Sequence, residues 1–158
     1  MTGESRYLVL SDSHGFLGRL EGILMASEQY GPFDAVIHLG DGCRDLDRFR
    51  EHLPPVIQLY GNCDGLYTAP GTDPVRVEEL GGVKVLLTHG HTLYVRSGTD
   101  GLYSRALREG AAAVLYGHTH RQKLEDRNGI LIMNPGAVEM GKWALLRIKN
   151  GVTEGILK

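Results

Sequence analysis

The chain has 158 residues, 42% of them hydrophobic and 23% charged, with a formal net charge of -2. That length suits one domain over residues 1–158 with a real core, and a near-neutral balance without long runs of either sign excludes a protein built to coat nucleic acid or an anionic membrane. Cys43 and Cys63 are too few for a disulfide scaffold, no apolar stretch approaches a membrane span, and no charged leader precedes a long apolar segment, so the cytoplasm is the expected location.

In chain order, RYLVLSD (6–12) reads as a buried strand. Leu17, Leu20, Ile23 and Leu24 then follow helical spacing, ended by Gly31-Pro32. DAVIHLG (34–40) is a second strand. Leu46, Phe49 and Leu53 predict a short helix, with Asp45 and Asp47 near its start where the helix dipole favours acids. VIQLYG (56–61) is a third strand, and the strands 75–80 and 83–89 flank the hairpin signal Gly81-Gly82. Thr99 and Asp100 open a helix with Leu102, Tyr103, Ala106 and Leu107 on one face, which Gly110 closes. AAAVLYG (111–117) is another strand. KLEDR and ILIMN flank Asn128-Gly129, and WALLRIK and VTEGILK flank Asn150-Gly151, the strongest short hairpin signal. The expected fold is α/β: two mixed sheets packed together with helices outside.

Five of the apolar runs deliver a polar residue at their carboxyl end, usually beside glycine. They end in Asp12 and His14, in Asp41, in Asn62, in His89 and His91, and in His118 and His120. Ligands of open α/β sheets bind outside the carboxyl ends of strands, so five such ends can converge on one cleft. Carboxylate and amide oxygens with neutral imidazoles suit divalent cations. Asp12, His14, Asp41, Asn62, His89, His118 and His120 exceed what one tetrahedral zinc needs, and with a bridging Asp they serve two metals. Residues two apart in an extended segment point the same way, so His118 and His120 are expected to face different metals of one pair.

Each residue also has a plainer role open to it. Asp12 and His14 can cap the following helix, His118 and His120 can bond backbone in a loop, and Asn62 can serve a turn. Taken as a set they favour metal. His38, inside a strand, reads as a satisfied core histidine, and His52 as exposed. His91 is either a substrate contact, a neighbour of the second metal or structural. Cys63 and Cys43 read as small packed residues, Arg44 as a surface arginine within reach of a phosphate. Asp64 is expected to brace its loop or to orient a ligand histidine.

The motifs Asp12-Ser13-His14, Gly40-Asp41, Gly61-Asn62-Cys63-Asp64, His89-Gly90-His91 and Gly117-His118-Thr119-His120, with Asn134-Pro135-Gly136 after them, run in order across nearly the whole chain. In this the chain resembles the calcineurin-like metallophosphoesterase superfamily, and within it the small prokaryotic phosphodiesterases of the YfcE type. The resemblance implies a first metal on Asp12, His14, Asp41 and His120 and a second on Asp41, Asn62, His89 and His118, with Asp41 bridging. It implies hydrolysis of a phosphodiester by a metal-activated hydroxide, without a covalent enzyme intermediate. Asp41, Asn62, His89 and His91 are the residues expected to act in catalysis. Two divalent ions are expected, manganese first, with iron, nickel or zinc as alternatives. Many superfamily members carry a leaving-group histidine where Cys63 stands, and a thiol with a reference pKa of about 8.5 is a poor substitute. The expected partner is a small phosphodiester or nucleotide-like substrate, with no membrane, no long nucleic acid, and homo-oligomerisation left open. A rival reading is a non-enzymatic interaction scaffold of the same fold, as in the retromer subunit. A nuclease on long nucleic acid is disfavoured, since no basic stripe or aromatic stacking platform is present.

Overall fold

The computed structural model describes residues 3–67 and 75–158. Its regular elements are β1 (Ser5–Leu10), α1 (Leu17–Ser27), β2 (Ala35–His38), β3 (Val56–Gln58), β4 (Val75–Leu80), β5 (Val83–Thr88), α2 (Asp100–Glu109), β6 (Ala113–Leu115), β7 (Lys123–Arg127), β8 (Ile130–Asn134), β9 (Ala144–Lys149) and β10 (Val152–Leu157). The strands form two five-stranded mixed sheets, in the orders β10-β9-β1-β2-β3 and β4-β5-β6-β8-β7. β1, β2 and β3 run parallel in the first, and β5, β6 and β8 in the second.

The period-two alternation of the strands builds three apolar layers. Val9, Ile37 and Leu39 from the first sheet meet Val85, Leu87 and Leu115 from the second in the central core. Leu8 and Leu10 point the other way, onto Leu20 and Ile23 of α1 and onto Leu46. Leu86 and Val114 of the second sheet pack on Leu102 and Ala106 of α2. Strands buried on both faces read as continuous apolar runs, which is why the sequence shows LVL and VLL rather than clean alternation. Asn128-Gly129 and Asn150-Gly151 take positive φ at both residues (51° and 85°, 52° and 76°), as two-residue hairpin turns require. Among the described residues no helix is long and apolar enough to cross a membrane.

Several expectations need correction. The segment around Leu46 is a 3-10 helix over Asp45–His52, not an α-helix. Asp45 and Asp47 do stand in its first turn, and Asp45 Oδ2 also accepts Ser13 Oγ–H at 2.6 Å and Gly15 N–H at 2.8 Å. Leu107 lies on the exposed side of α2. The strands end early. In the runs 6–12, 34–40, 56–61 and 111–117 the regular ladder ends at Leu10, His38, Gln58 and Leu115. In three of these runs the overshoot meets backbone that leaves the sheet. Asp12, Gly40 and Asp41 have positive φ, and His118 turns likewise just past the fourth. An L-residue in that region cannot continue a ladder.

Candidate metal centre

The parallel strands of both sheets end on one edge of the sandwich. Pairing persists there as single bonds: Asp12 N–H donates to Gly40 O at 2.9 Å, His14 N–H to Asp41 O at 3.0 Å, and Gly117 N–H to His89 O at 3.0 Å. Two further bonds cross from sheet to sheet, from His89 Nδ1–H to Leu39 O at 3.0 Å and from His118 N–H to Asp12 Oδ2 at 3.1 Å. Glycines allow this closeness. A Cβ on Gly61 would lie 2.1 Å from Asp41 Oδ1, and one on Gly117 would lie 2.1 Å from Ser11 Oγ.

Six of the seven candidate ligands come together in two triads. Asp12, His14 and His120 form one, and Asp41, His89 and His118 the other, with donor atoms in each within 4.8 Å of one another. His118 and His120 do fall in different triads. The reason differs from the expectation, because the segment is not extended: the two residues hold φ of 70° and 63° in a loop. Asp41 links the triads, its Oδ2 lying 3.2 Å from His89 Nε2 and 3.8 Å from His14 Nε2. Asp12 Oδ1 lies 3.2 Å from His120 Nε2, 3.5 Å from His14 Nε2 and 3.8 Å from His89 Nε2. Asn62 is exposed, and its amide donates to the Sγ of Cys63 at 3.6 Å, the residue whose N–H holds Asp41. His91 is half-buried at the edge of the second triad, its ring 5.5 Å from that of His89 and 6.2 Å from that of His118.

The donor set fits divalent cations on two counts. Asp12 Oδ1 and His89 Nε2 are fully buried and hydrogen-bond to nothing among the described residues. Leaving such atoms bare costs about 1–3 kcal/mol each, which a cation at each triad would relieve. His89 uses Nδ1–H on Leu39 O, so its Nε2 lone pair faces the cluster. The local field also calls for positive charge. Burial works against a proton on His89, yet Asp41 and Asp12 raise its pKa. Burial pushes the Asp41 carboxyl up, but the neighbouring His89 ring and the Cys63 N–H at 2.7 Å hold it well below the usual carboxylate range. His118 differs: burial, then the charges of His89 and Arg96, lower its pKa. Arg96 Nε–H donates to His118 Nε2 at 3.1 Å, so a cation on His118 competes with Arg96 for the one lone pair of a neutral imidazole.

The plainer roles fare unevenly. Phe16, not Asp12 or His14, precedes the first residue of α1, and no side chain caps that helix. His38 is a satisfied core histidine: Gly40 N–H and the Gln58 amide donate to its Nδ1 at 3.2 and 3.0 Å, and its Nε2 lies 2.9 Å from Ser13 Oγ. Burial lowers its pKa to about 4. Asp64 braces backbone, accepting N–H groups of Gly61, Asp41, Gly42 and Cys43 at 2.7–3.2 Å. Cys43 is buried, and burial followed by Asp64 pushes its thiol up to about 12. Cys63 is exposed rather than packed, and it faces His14 and Asp41. Burial and then Asp41 raise its pKa, so it stays a thiol at neutral pH. Arg44 is exposed and lies 3.4 Å from Asp47.

Supports that the sequence motifs mostly leave unmarked hold these ligands in place. Ser11 Oγ–H donates to Asp12 Oδ2 at 2.6 Å, and Glu139 Oε1 sits 3.0 Å from His120 Nδ1, where it orients the ring. The Asn134 amide donates to Gly117 O and Thr119 Oγ1 at 3.1 and 3.0 Å and holds the Gly117–His120 loop. Only Asn134 stood in a recognised motif; no local pattern ties Glu139 to a histidine nineteen residues upstream.

Residues 6–150 match the calcineurin-like phosphoesterase superfamily domain. YsnB of Bacillus subtilis strain 168, named a probable metallophosphoesterase, is 31% identical over 90% of this chain and 84% of its own. The phosphodiesterase YfcE of Escherichia coli K12 is 33% identical over 87% of this chain and 81% of its own. Among solved structures, a phosphoesterase-like protein of Streptococcus pneumoniae TIGR4 superposes with a TM-score of 0.74 at 26% identity, covering 100% of both chains. Vacuolar Protein Sorting 29 of Cryptosporidium parvum, at 17% identity and TM-score 0.71 over 98% of this chain and 97% of its own, shares the fold alone.

Proposed function

The chain belongs to the calcineurin-like phosphoesterase superfamily, and from that footing we propose that it is a metal-dependent phosphodiesterase with a dinuclear centre, acting on a small phosphodiester or nucleotide-like substrate. The observation that carries this reading is Asp41, whose one Oδ2 lies within 4 Å of an imidazole nitrogen of each triad. Asp12, His14, Asp41 and His120 would hold one cation, and Asp41, Asn62, His89 and His118 the other. Manganese is the first choice, and the same donors admit iron, nickel or zinc. Two such cations would supply Lewis acidity to the phosphoryl oxygens and the means to activate a water near neutral pH.

The protein's own residues do the rest. Asp12 and Asp41 offset half of the cationic charge. With an anionic nucleophile present, a single positive charge is left, which a diester monoanion balances and a monoester dianion exceeds. The Leu39 carbonyl and Glu139 fix the rings of His89 and His120. Burial and the charge of His89 hold the pKa of His91 down, so the ring is mostly neutral at pH 7 and only its protonated fraction would serve the leaving oxygen as an acid.

Metal-stripped protein should not turn over bis(p-nitrophenyl) phosphate, and manganese should restore turnover of this diester ahead of p-nitrophenyl phosphate. Full metal occupancy without diester turnover on any of the four metals would overturn the reading in favour of an interaction scaffold.

A further inference from the structure

We propose that a polar cavity beside His118 is an anion subsite that selects phosphodiesters carrying a second phosphate group on the same molecule. The inference deepens, and rests on, the phosphodiesterase reading. The cavity has a volume of about 560 Å³, within the range of small-ligand sites, and its walls include Arg96, Thr99, Tyr116, Thr119, Arg121 and Lys123. Among the described residues no carboxylate lines it. Glu125 accepts the Thr99 hydroxyl at 2.9 Å and lies outside the lining. Neither the Arg121 guanidinium nor the Lys123 ammonium has an acid within salt-bridge distance among the described residues.

Three like charges around one concavity repel one another, and in a chain of net charge -2 composition does not force them together. An anion in the cavity would turn that repulsion into attraction. Guanidinium groups offer a planar fork that matches phosphate oxygens, and the lysine adds a point charge.

The cavity is built against the reaction centre. Thr119 stands between His118 and His120, and its Oγ1 accepts the Arg121 N–H at 3.2 Å, so the loop that presents both histidines is also a wall of the cavity. Arg96 spans the two regions, lining the cavity while its Nε–H reaches His118 Nε2 at 3.1 Å. A phosphate seated there is therefore next to the phosphate under attack, which puts both on one substrate.

The test is calorimetric titration of manganese-equilibrated protein. The ligands are adenosine 5′-phosphate, adenosine 5′-diphosphate, and the adenosine 2′,5′- and 3′,5′-bisphosphates, which set the second phosphate at graded distances. At least one doubly phosphorylated ligand should bind about tenfold or more tightly than the monophosphate, as expected for charge-assisted hydrogen bonds. Arg121→Gln/Lys123→Gln should erase that gain, and Arg121→Lys/Lys123→Arg should keep it. Raising salt from about 0.05 to 0.5 M should shrink it in the parent protein. The proposal is overturned if no ligand gains, if the gain survives the glutamine pair, or if salt leaves it unchanged. It is also overturned if inorganic phosphate alone binds as tightly as the best ligand, which would mark an independent ion site. Turnover of bis(p-nitrophenyl) phosphate on the same sample separates the two readings. A gain without turnover sinks the phosphodiesterase reading, and turnover without a gain sinks only the subsite.

Discussion

Asp12, His14, Asp41, His118 and His120 all hold a left-handed backbone, with φ from 44° to 70°. Such a residue costs of order 1–3 kcal/mol and persists where the surroundings over-determine it. Here the surroundings are visible: Ser11 and the His118 N–H grip Asp12, and the Cys63 N–H grips Asp41. Asp41→Asn should keep the bond from Cys63, since an amide oxygen still accepts it, while removing the charge that faces both triads. We expect metal content and diester turnover to collapse with the fold intact by circular dichroism, and His52→Gln, at an exposed site, to change neither. Equal losses from the two changes would refute the assignment. Cys63 allows a sharper test. Its thiol stays protonated at neutral pH and is a weak acid toward a leaving oxygen. Rates should then fall steeply from nitrophenyl to alkyl diesters. Cys63→His should flatten that slope, since general acid catalysis is worth on the order of 10²–10⁴-fold. If His91 already donates the proton, the slope of Cys63→His will match the parent's and His91→Ala will steepen it.

The elements that matter at the next scale are the loops after the strands, and they are tied to one another by buried polar chains. His38 is the centre of one such chain. The donors on its Nδ1 leave the proton on Nε2, which donates to Ser13 Oγ, and Ser13 in turn donates to Asp45. This links β2 to the loop after β1 and to the 3-10 helix over Asp45–His52. Because burial lowers the His38 pKa from 6.5 to about 4, the folded chain refuses a proton that the unfolded chain accepts. The stability contributed by neutral His38 is therefore full above pH 6.5 and is lost as pH falls toward 4, by roughly 3 kcal/mol across the window. Urea melts at pH 7 and pH 4.5 should show that decline in the parent and a smaller one in His38→Gln. The strand cores were legible from their apolar runs, and the Asn-Gly turns from local chemistry. The true strand ends were not. A hydrophobicity pattern carries no information on the sign of φ, and positive φ at Asp12, Gly40 and Asp41 is where the regular ladder of the first two runs gives out.

On the scale of the whole molecule, the centre is a seam. The triads draw on both sheets, with Asp12, His14 and Asp41 following strands of one and His89, His118 and His120 following strands of the other. Metal binding should therefore stabilise the entire sandwich rather than one loop. At free manganese roughly a hundredfold above its Kd the gain is about 2.7 kcal/mol, or about 5–10 °C in Tm for a chain of this size. Scanning calorimetry should show that rise in the parent and none in Asp41→Asn. A parent Tm indifferent to manganese would argue against a site shared by the sheets.

The sequence by itself determined the identity of the strands, the two-sheet α/β architecture, the superfamily, and the residues that meet at the seam. Each of those rests on local pattern: period-two burial, glycine beside an acid or imidazole, and motif order. Tertiary structure alone decided that Asn62 and Cys63 are exposed, that Cys63 faces the cluster, and that Asp64 serves backbone rather than a histidine. It also decided that Glu139 and Arg96 address His120 and His118. These are contacts between segments distant in the chain, brought together by how two sheets pack face to face. No local spacing encodes that packing.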